Sequence, residues 1–251
     1  MNVLGVVALA AAGLPPICTD RPAKANAVCT VPVGVLQIES SLAGWSLSKV
    51  QAERTTVLTI AGTTAKLGVT GRSDLQVSVV PYAKVRTTGK GSVSGIGDVV
   101  IRYKQRLTAD DAAVQVGAIP FVKVPTAPRT LGNGKVEGGL AIPVSFALSG
   151  AVTMTLGPEA DLLGDADERG RHIAIVNLVN VGGPIAPRVT LAGELWSNIN
   201  LDPARTVKQA SADASLAYAA STNFQIDAGV NRGLTRDTPD WELYGGISIR
   251  L

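Results

Sequence analysis

The sequence predicts an all-β protein, a transmembrane antiparallel up-and-down β-barrel of about 12 strands with short periplasmic turns and longer extracellular loops. Three observations carry this prediction. Polar and apolar residues alternate with a period of two over many segments, which is typical of strands with one polar and one apolar face. Most of these segments are long enough to cross a bilayer as a strand, about nine to eleven residues. Short and long connections follow each other in turn along the chain.

The alternation is clear in DVVIRYKQRL, where Arg102, Lys104 and Arg106 lie on one face and Ile101 and Tyr103 on the other. We expect strands near residues 34–45, 54–70, 73–85, 96–107, 112–124, 135–148, 151–162, 171–181, 187–198, 207–219, 223–231 and 241–251. The segment 171–181 alternates poorly, so the expected number of strands is 10 to 14.

The connections differ in length according to their place in the chain. The short ones lie at residues 71–73, 108–111, 149–150, 182–186 and 220–222. The longer, polar ones lie at residues 46–53, 86–95, 125–134, 163–170, 199–206 and 232–240. Because outer-membrane barrels have short periplasmic turns and long extracellular loops, this pattern places both chain ends in the periplasm.

The composition fits one apolar domain. The chain is 46% hydrophobic and 17% charged, with a net charge of +3. Its basic residues are scattered and form no patch interleaved with aromatics, which excludes a typical nucleic-acid binder. No linker or low-complexity tract divides residues 34–251, the expected barrel.

The amino-terminal region predicts export. The run NVLGVVALAAAGL is apolar and uncharged, and it is too short to span a bilayer as a helix. It suits a signal peptide over residues 1–12, although a basic start is missing and a buried N-terminal strand is the alternative. Residues 13–33 are then a periplasmic N-terminal segment, next to the lower rim of the barrel.

Two cysteines, Cys18 and Cys29, are the only ones in the chain. A zinc site needs about four ligands, and the sequence offers one histidine and no CxxC spacing. A disulfide suits an exported protein better, so we expect the two residues to form a clip. Two unrelated buried thiols are the alternative.

The parity of the strands predicts which charges line the lumen. The predicted basic residues are Lys84, Arg102, Lys104, Arg106, Lys123 and Lys135. The predicted acidic residues are Glu39, Glu137, Glu159, Asp161, Glu194, Asp213, Asp227 and Glu242. The basic residues concentrate on the third to sixth strands, and most of the acidic residues lie on the later ones. The two signs of charge therefore either create an electrostatic field across an open lumen or form salt bridges that close it. The same parity turns Trp45 and Trp196 inward.

Four prolines lie in the middle of predicted strands: Pro81, Pro120, Pro143 and Pro158. Each lacks the N–H that a ladder hydrogen bond needs, so we expect bulges or kinks in the wall. The kinks either shape the wall only or allow a lateral opening for an apolar substrate.

No segment predicts catalysis, a cofactor or a metal site. His172 is expected to be a solvated loop histidine, and no GxSxG motif accompanies it. The acidic stretch GDADERG (164–170) lacks the spacing of a calcium loop and is expected to be a solvated charge run. The glycines of SGIGD and LGNGK precede no helical pattern, so they do not predict a nucleotide site.

Several blocks resemble one protein family in the order in which they occur. They are CTDRPAKANAVCTVPVGVLQIE, GIGDVVIRYKQRL, GNGKVEGGLAIPVSF, IDAGVNRGLT and YGGISIRL. The chain is similar to the family named for a putative MetA pathway of phenol degradation, from about residue 18 to the C-terminus. This resemblance implies an outer-membrane β-barrel that is transporter-like, and it supplies no catalytic residues. The chain ends in Leu251, where outer-membrane barrels commonly end in an aromatic residue.

Three functions remain open for such a barrel. We expect an outer-membrane channel or transporter for small molecules, apolar or aromatic ones included, in a Gram-negative bacterium. A barrel plugged by its side chains, with a structural or surface-interaction role, is the first alternative, and an enzyme at the rim is the second. The expected partners are outer-membrane lipid and a small-molecule permeant, with no nucleic acid, and a monomer is favoured.

Overall fold

The computed structural model describes residues 16–251, so the predicted signal peptide lies outside the described residues. This part of the chain is all β. None of the described residues forms a helix that is long and apolar enough to cross a membrane. The strands are β1 (Leu36–Val50), β2 (Glu53–Thr70), β3 (Ser73–Val79), β4 (Tyr82–Thr87), β5 (Gly91–Gly95), β6 (Val99–Arg106), β7 (Val114–Val124), β8 (Glu137–Ala141), β9 (Val144–Ser149), β10 (Val152–Leu156), β11 (Glu159–Gly164), β12 (Arg171–Ala186), β13 (Val189–Asn200), β14 (Val207–Ser221), β15 (Phe224–Gly233) and β16 (Trp241–Arg250).

The strands close into one antiparallel barrel. β1 pairs with both β2 and β16, so the first and last strands complete the ring. β3 and β4 both pair with β2, β8 and β9 with β7, and β10 and β11 with β12. β5 in turn pairs with β4, and β6 pairs with β3. Four positions in the wall are therefore each built from two short strands, namely β3 with β4, β5 with β6, β8 with β9, and β10 with β11. The wall therefore has 12 strand positions, which confirms the predicted fold class.

The barrel is polar inside and apolar outside. Gln37, Lys66 and Lys104 are at most 2% exposed, although they are polar or charged. Leu75 and Ile173, on the opposite face of their strands, are more than 40% exposed. A soluble protein buries its apolar side chains and leaves the charged ones in water. The reversed distribution indicates a wall whose outer face lies in lipid.

The hydrogen-bond ladder is interrupted at each of the four prolines where a bulge or kink is predicted. Pro81 separates β3 from β4, Pro143 separates β8 from β9, and Pro158 separates β10 from β11. Pro120 stays inside β7, but the pairing of β6 with β7 skips two residues there. Each proline removes a donor from the ladder, which explains why the wall breaks at these points.

Two of the predicted long connections are β-hairpins instead. β1 continues to Val50 and β2 begins at Glu53, so only a tight turn joins them, with Gln51 in the left-handed region at φ 54°. The predicted connection 86–95 is likewise mostly strand, because β4 and β5 pair across it. These hairpins stand at the extracellular end of the wall, where neither face needs apolar side chains. Their sequences therefore lack the alternation that identifies a strand.

A bulge exchanges the two faces in the upper parts of β1 and β2. The register passes from Ser41↔Gly62 directly to Ala43↔Ile60. Ala61, within the bulge, has φ 55°. Beyond it Trp45 stands beside Leu58 in β2 and therefore faces lipid, contrary to the simple parity of the sequence. Such an extra residue in both strands reverses every side chain that follows.

Candidate functional site: a lumen closed by the N-terminal segment

Residues 17–32, called the plug below, cross the lumen of the barrel. At one end the Ile17 N–H donates to the Thr222 carbonyl oxygen over 2.9 Å. At the other end the chain reaches β2, where Val33 forms a bridge with Gly68. The predicted place of this segment was the periplasm, at the lower rim. It lies inside the wall instead, because the inward carboxylates and lysines of eight strands offer it polar partners.

The predicted disulfide is confirmed. Cys18 and Cys29 are bonded, with their Cα atoms 6.1 Å apart. The bridge turns the intervening residues into a closed loop inside the lumen. Gln37 of β1 anchors this loop by donating from Nε2 to the Cys18 carbonyl oxygen over 2.6 Å.

Carboxylates of the wall bind the backbone of the plug. Glu39 accepts from the N–H groups of Asp20 and Arg21, both at 3.2 Å. Glu194 accepts from Lys24 over 3.1 Å and from Ala25 over 2.9 Å. A buried segment without secondary structure has donors that must be satisfied, and these acids supply the acceptors.

Basic side chains of the plug pair with the acidic wall. Arg21 forms a two-point contact with Asp227 of β15, with the shorter Nη2–Oδ1 distance at 2.6 Å. Lys24 pairs with Asp213 of β14 at 2.6 Å and lies 4.9 Å from the centre of the Trp196 ring. Trp196 therefore faces the lumen, as the sequence predicts.

Asp20 faces the opposite, basic wall. Its carboxylate pairs with Lys104 of β6 at 2.6 Å and also with Lys66 of β2. Lys66 pairs with Glu39 as well, at 2.5 Å. Burial raises the pKa of Asp20, but Lys104 and Lys66 lower it by more, so its pKa lies below the usual range. Asp20 is thus the charged group that holds the plug on this side.

The plug joins the two oppositely charged walls that the sequence predicts. Its acid lies against lysines and its bases lie against acids, so the plug neutralises four wall charges, those of Lys66, Lys104, Asp213 and Asp227. A cavity against the plug has a volume of about 160 Å³ and reaches Arg102. This is below the volumes of about 300–1,000 Å³ that are usual for ligand sites.

One rung of the wall beyond the plug combines a cation, an aromatic ring and an acid. Arg102, Phe121, Gly139 and Asp161 are successive partners across β6, β7, β8 and β11. The Arg102 guanidinium lies 5.8 Å from the centre of the Phe121 ring. A side chain at Gly139 would come within 2.2 Å of the Asp161 carboxylate and 2.7 Å of the ring, so glycine lets them converge. We call these four residues the aromatic site.

Two polar atoms of the aromatic site have no hydrogen-bond partner within the described part of the chain. They are Nε of Arg102 and Oδ1 of Asp161, and both are buried. One is a donor and the other an acceptor, and they flank the ring. An unsatisfied buried polar atom costs stability, so such a pair indicates a position where a ligand can supply the missing hydrogen bonds.

Most of the remaining predicted lumen residues lie toward the two ends of the barrel, and Glu159 lies beside the aromatic site. Lys123 pairs with Glu137 at 2.7 Å, and Lys135 donates to the Asp165 carbonyl oxygen, both near the longer loops. Arg106 pairs with Asp110 beside a short turn. Glu159 is on the same face as Asp161, and Glu242 accepts from Asn231 over 2.8 Å.

Lys84 lies on the outer face, opposite to its predicted place. It stands in register with Leu58, which faces lipid. The break at Pro81 and the bulge at Ala61 shift the parity of β4 relative to β3. Regular alternation through residues 73–85 was therefore the wrong assumption at this point.

His172 is buried, whereas the sequence suggests a solvated loop histidine. Its side chain is 5% exposed, and Nδ1 lies 2.8 Å from Asp165 and 3.7 Å from Asp202. The three donor groups lie within 4.8 Å of each other, which is a spacing that a divalent ion could bridge. Asp202 also accepts from the Ala166 and Ala204 N–H groups, which lower its pKa. The cluster ties the β11–β12 loop to the β13–β14 loop.

Sequence reasoning missed the plug residues Asp20, Arg21 and Lys24 and the wall residue Lys66. The stretch TDRPAK between the cysteines carries both signs of charge, which was a usable signal. Lys66 lies on the polar face of TTAKLGVT and could have been assigned by the same alternation. The location of the plug inside the lumen depends on contacts between distant parts of the chain, which a local sequence pattern does not show.

Comparison with known proteins agrees with this architecture. The model of the family described as "Putative MetA-pathway of phenol degradation" matches residues 19–251. No curated protein matches the sequence.

Two solved structures have a similar fold. One is the COG4313 outer membrane channel from Pseudomonas putida F1, with a TM-score of 0.70, 16% identity, and coverage of 92% of this chain and 100% of that chain. The other is the NanC porin, with a TM-score of 0.58, 11% identity, and coverage of 86% of this chain and 100% of that chain. With its apolar outer face, the chain is a β-barrel of the Gram-negative outer membrane.

Proposed function

The chain belongs to the family described as "Putative MetA-pathway of phenol degradation". From that premise we propose that it is an outer-membrane channel for small aromatic molecules that carry a hydroxyl group. The aromatic site binds the permeant, and the plug closes the route beyond it. The observation that carries the proposal is the pair of unsatisfied polar atoms, Arg102 Nε and Asp161 Oδ1, beside the Phe121 ring.

The chemistry of the aromatic site suits a phenol-like molecule. Phe121 offers a ring for edge or offset stacking, which contributes about 0.5–1.5 kcal/mol beyond burial. The hydroxyl of the permeant can donate to Asp161 and accept from Arg102, so both unsatisfied atoms gain a partner. An aromatic molecule without a hydroxyl would leave both atoms unpaired, and the site would discriminate against it.

The plug supports a gate and not an open pore. A cavity of about 160 Å³ against the plug leaves little room for a permeant to pass. Passage to the periplasm then needs movement of the plug, whose ion pairs with Asp227 and Asp213 must separate. The ladder breaks next to the aromatic site, at Pro120 and Pro143, support a second route through the wall for the more apolar molecules.

Three similarities support transport over catalysis. They are the fold of the NanC porin, the fold of the channel from Pseudomonas putida F1 and the match to the family. The geometry of His172 agrees, because its ring bonds to Asp165 and to no serine among the described residues. We therefore propose that the chain is not an enzyme. Since the barrel closes through its own first and last strands, we also propose that it acts as a monomer.

The test is current block in planar bilayers. Phenol added to the extracellular side should reduce the residual ion current, and toluene at the same concentration should reduce it far less. Gly139→Ala should abolish the difference, because its side chain would displace Asp161 and Phe121. Gly193→Ala is the matched control, since nothing lies within 4 Å of the added carbon there.

Equal block by phenol and toluene would contradict the aromatic site. Absence of current in the wild type and in a variant with a released plug would favour a second function, a plugged barrel with a structural role. The observation on its side is that the plug is bound on both walls and closed by a disulfide.

A further inference from the structure

Three cations lie on the outer face of the wall near its extracellular end. Lys84 stands beside Leu58, and Arg86 stands beside Thr56, in the outward row of β2. Arg54 follows in the same row, two residues beyond Thr56. These residues, Arg54, Lys84 and Arg86, are called the basic patch below.

The basic patch is next to apolar side chains that face lipid. Leu58, Ile60 and Tyr82 are 37%, 38% and 39% exposed, and Ile60 and Tyr82 are in register one row below Lys84. Trp45 stands beside Leu58 in the same outer surface. The surface therefore changes from apolar and aromatic to basic over one or two rows, as at a membrane interface.

No carboxylate of the described residues lies within 4.0 Å of the charged groups of the basic patch. Two other cations of the barrel differ in this respect, because Lys90 pairs with Glu53 at 2.7 Å and Arg232 lies 3.7 Å from Asp240. A cation on the lipid side of an outer-membrane barrel is destabilising toward the midplane unless an anion or water accompanies it. Three exposed cations without a carboxylate partner in one place can therefore bind an anion from outside the chain.

A cavity beside the basic patch has the size and lining for such an anion. Its volume is about 660 Å³, and the residues that line it are Arg54, Thr56, Arg86, Thr87, Thr88, Gly89 and Gly91. Thr56 and Thr88 can donate hydrogen bonds, and the guanidinium groups match phosphate oxygens in two-point contacts. At Gly89 and Gly91 nothing lies within 4 Å of an added carbon, so the floor is open to a bulky group.

We propose that the basic patch binds the phosphorylated head group of an outer-leaflet glycolipid, with its acyl chains against Leu58, Ile60 and Tyr82. The apolar rows favour a lipid over a free phosphate, because a soluble anion has no acyl chains to contact these side chains. The inference depends on the place of the barrel in the outer membrane and not on what the lumen carries.

The test is binding of lipid A to delipidated protein in detergent, measured by native mass spectrometry. Lys84→Gln/Arg86→Gln should weaken binding about 25-fold, since each cation beside an anionic head group contributes about fivefold. The matched control is Arg171→Gln/Lys208→Gln, two exposed cations elsewhere on the barrel, which should change binding less than twofold. Heat-dependent mobility in a gel shows that each variant is folded.

Two further ligands identify the source of the anion. Lipid A without its phosphates should bind weakly and equally to wild type and double variant, and inorganic pyrophosphate should compete poorly. Equal binding of lipid A to both proteins would overturn the proposal, and so would competition by pyrophosphate at the same concentration as lipid A. Should the double variant not fold, Arg54→Gln with an expected fivefold loss takes its place.

Discussion

Asp20→Asn should release the plug while the barrel stays folded. The Asp20 side chain is 15% exposed, and its partners Lys66 and Lys104 are 3% and 1% exposed. Asparagine keeps the shape of aspartate and loses its charge. Lys66 retains Glu39 as a partner, but Lys104 retains only the Ala27 carbonyl oxygen.

The expected magnitude follows from the loss of one partner in a buried ion pair. Such a loss costs about 3–5 kcal/mol. Because Lys66 keeps a second carboxylate and Asp20 is partly exposed, we take the lower end, about 3 kcal/mol, which is about a 100-fold change in an equilibrium constant. The strands pair with each other independently of the plug, so the substitution weakens the docking of the plug and not the pairing of the strands.

Trypsin cleavage after Lys24 measures plug release. In the docked state Lys24 pairs with Asp213 at 2.6 Å inside the lumen, whereas Arg21 precedes Pro22 and resists cleavage. When opening is fast, the cleavage rate follows the population of the open form. Asp20→Asn should therefore be cut about 100 times faster in detergent micelles, as seen by mass spectrometry after reduction of the disulfide.

Asp237→Asn is the matched control, since it removes the carboxylate of an exposed pair with Arg205 in the loops. Its cleavage rate should equal that of the wild type. Cleavage of Asp20→Asn at the wild-type rate, with heat-dependent gel mobility retained, would refute the electrostatic account of the plug.

Two more predictions concern the plug. A thiol reagent should label neither Cys18 nor Cys29 in native, unreduced protein, because they are bonded to each other, and labelling of both would exclude the bridge. Protection of Lys24 from trypsin should persist from pH 7 to pH 5, the range in which the protease still cuts. The pKa of Asp20 in the folded protein lies below the ordinary value of an aspartate, so its contribution is present above that ordinary value and is lost only as the pH falls through the lower, folded pKa. Faster cleavage at pH 5, corrected for protease activity on a peptide, would show that another group controls the plug.

Much of the wall could be predicted from sequence because a strand displays its faces locally. Alternation placed Arg102 and Lys104 in the lumen and Ile101 on the outside, and the structure has them there. Prolines predicted the breaks in the ladder for the same reason, since a missing N–H is a property of the residue itself.

The rest required contacts between distant parts of the chain. Glu194 binds the backbone of Lys24 across 170 positions, and nothing near either residue indicates it. Alternation also fails where the pairing is irregular, as for Trp45 beyond the bulge and Lys84 beyond Pro81. A single extra residue there inverts a face, and its effect on the partner strand is visible only in the register.

These irregular places are also where the candidate sites lie. The aromatic site is next to Pro120, whose missing N–H interrupts the β6–β7 ladder beside Phe121. The basic patch exists because the break at Pro81 and the bulge at Ala61 turn Lys84 and Arg86 away from the lumen. A regular ladder would send both cations inward, toward the lumen, and would leave the outer wall apolar. Regular alternation builds a closed wall with one polar face. Departures from it place polar groups at positions where they do not stabilise the wall, and such positions are where functional sites are expected.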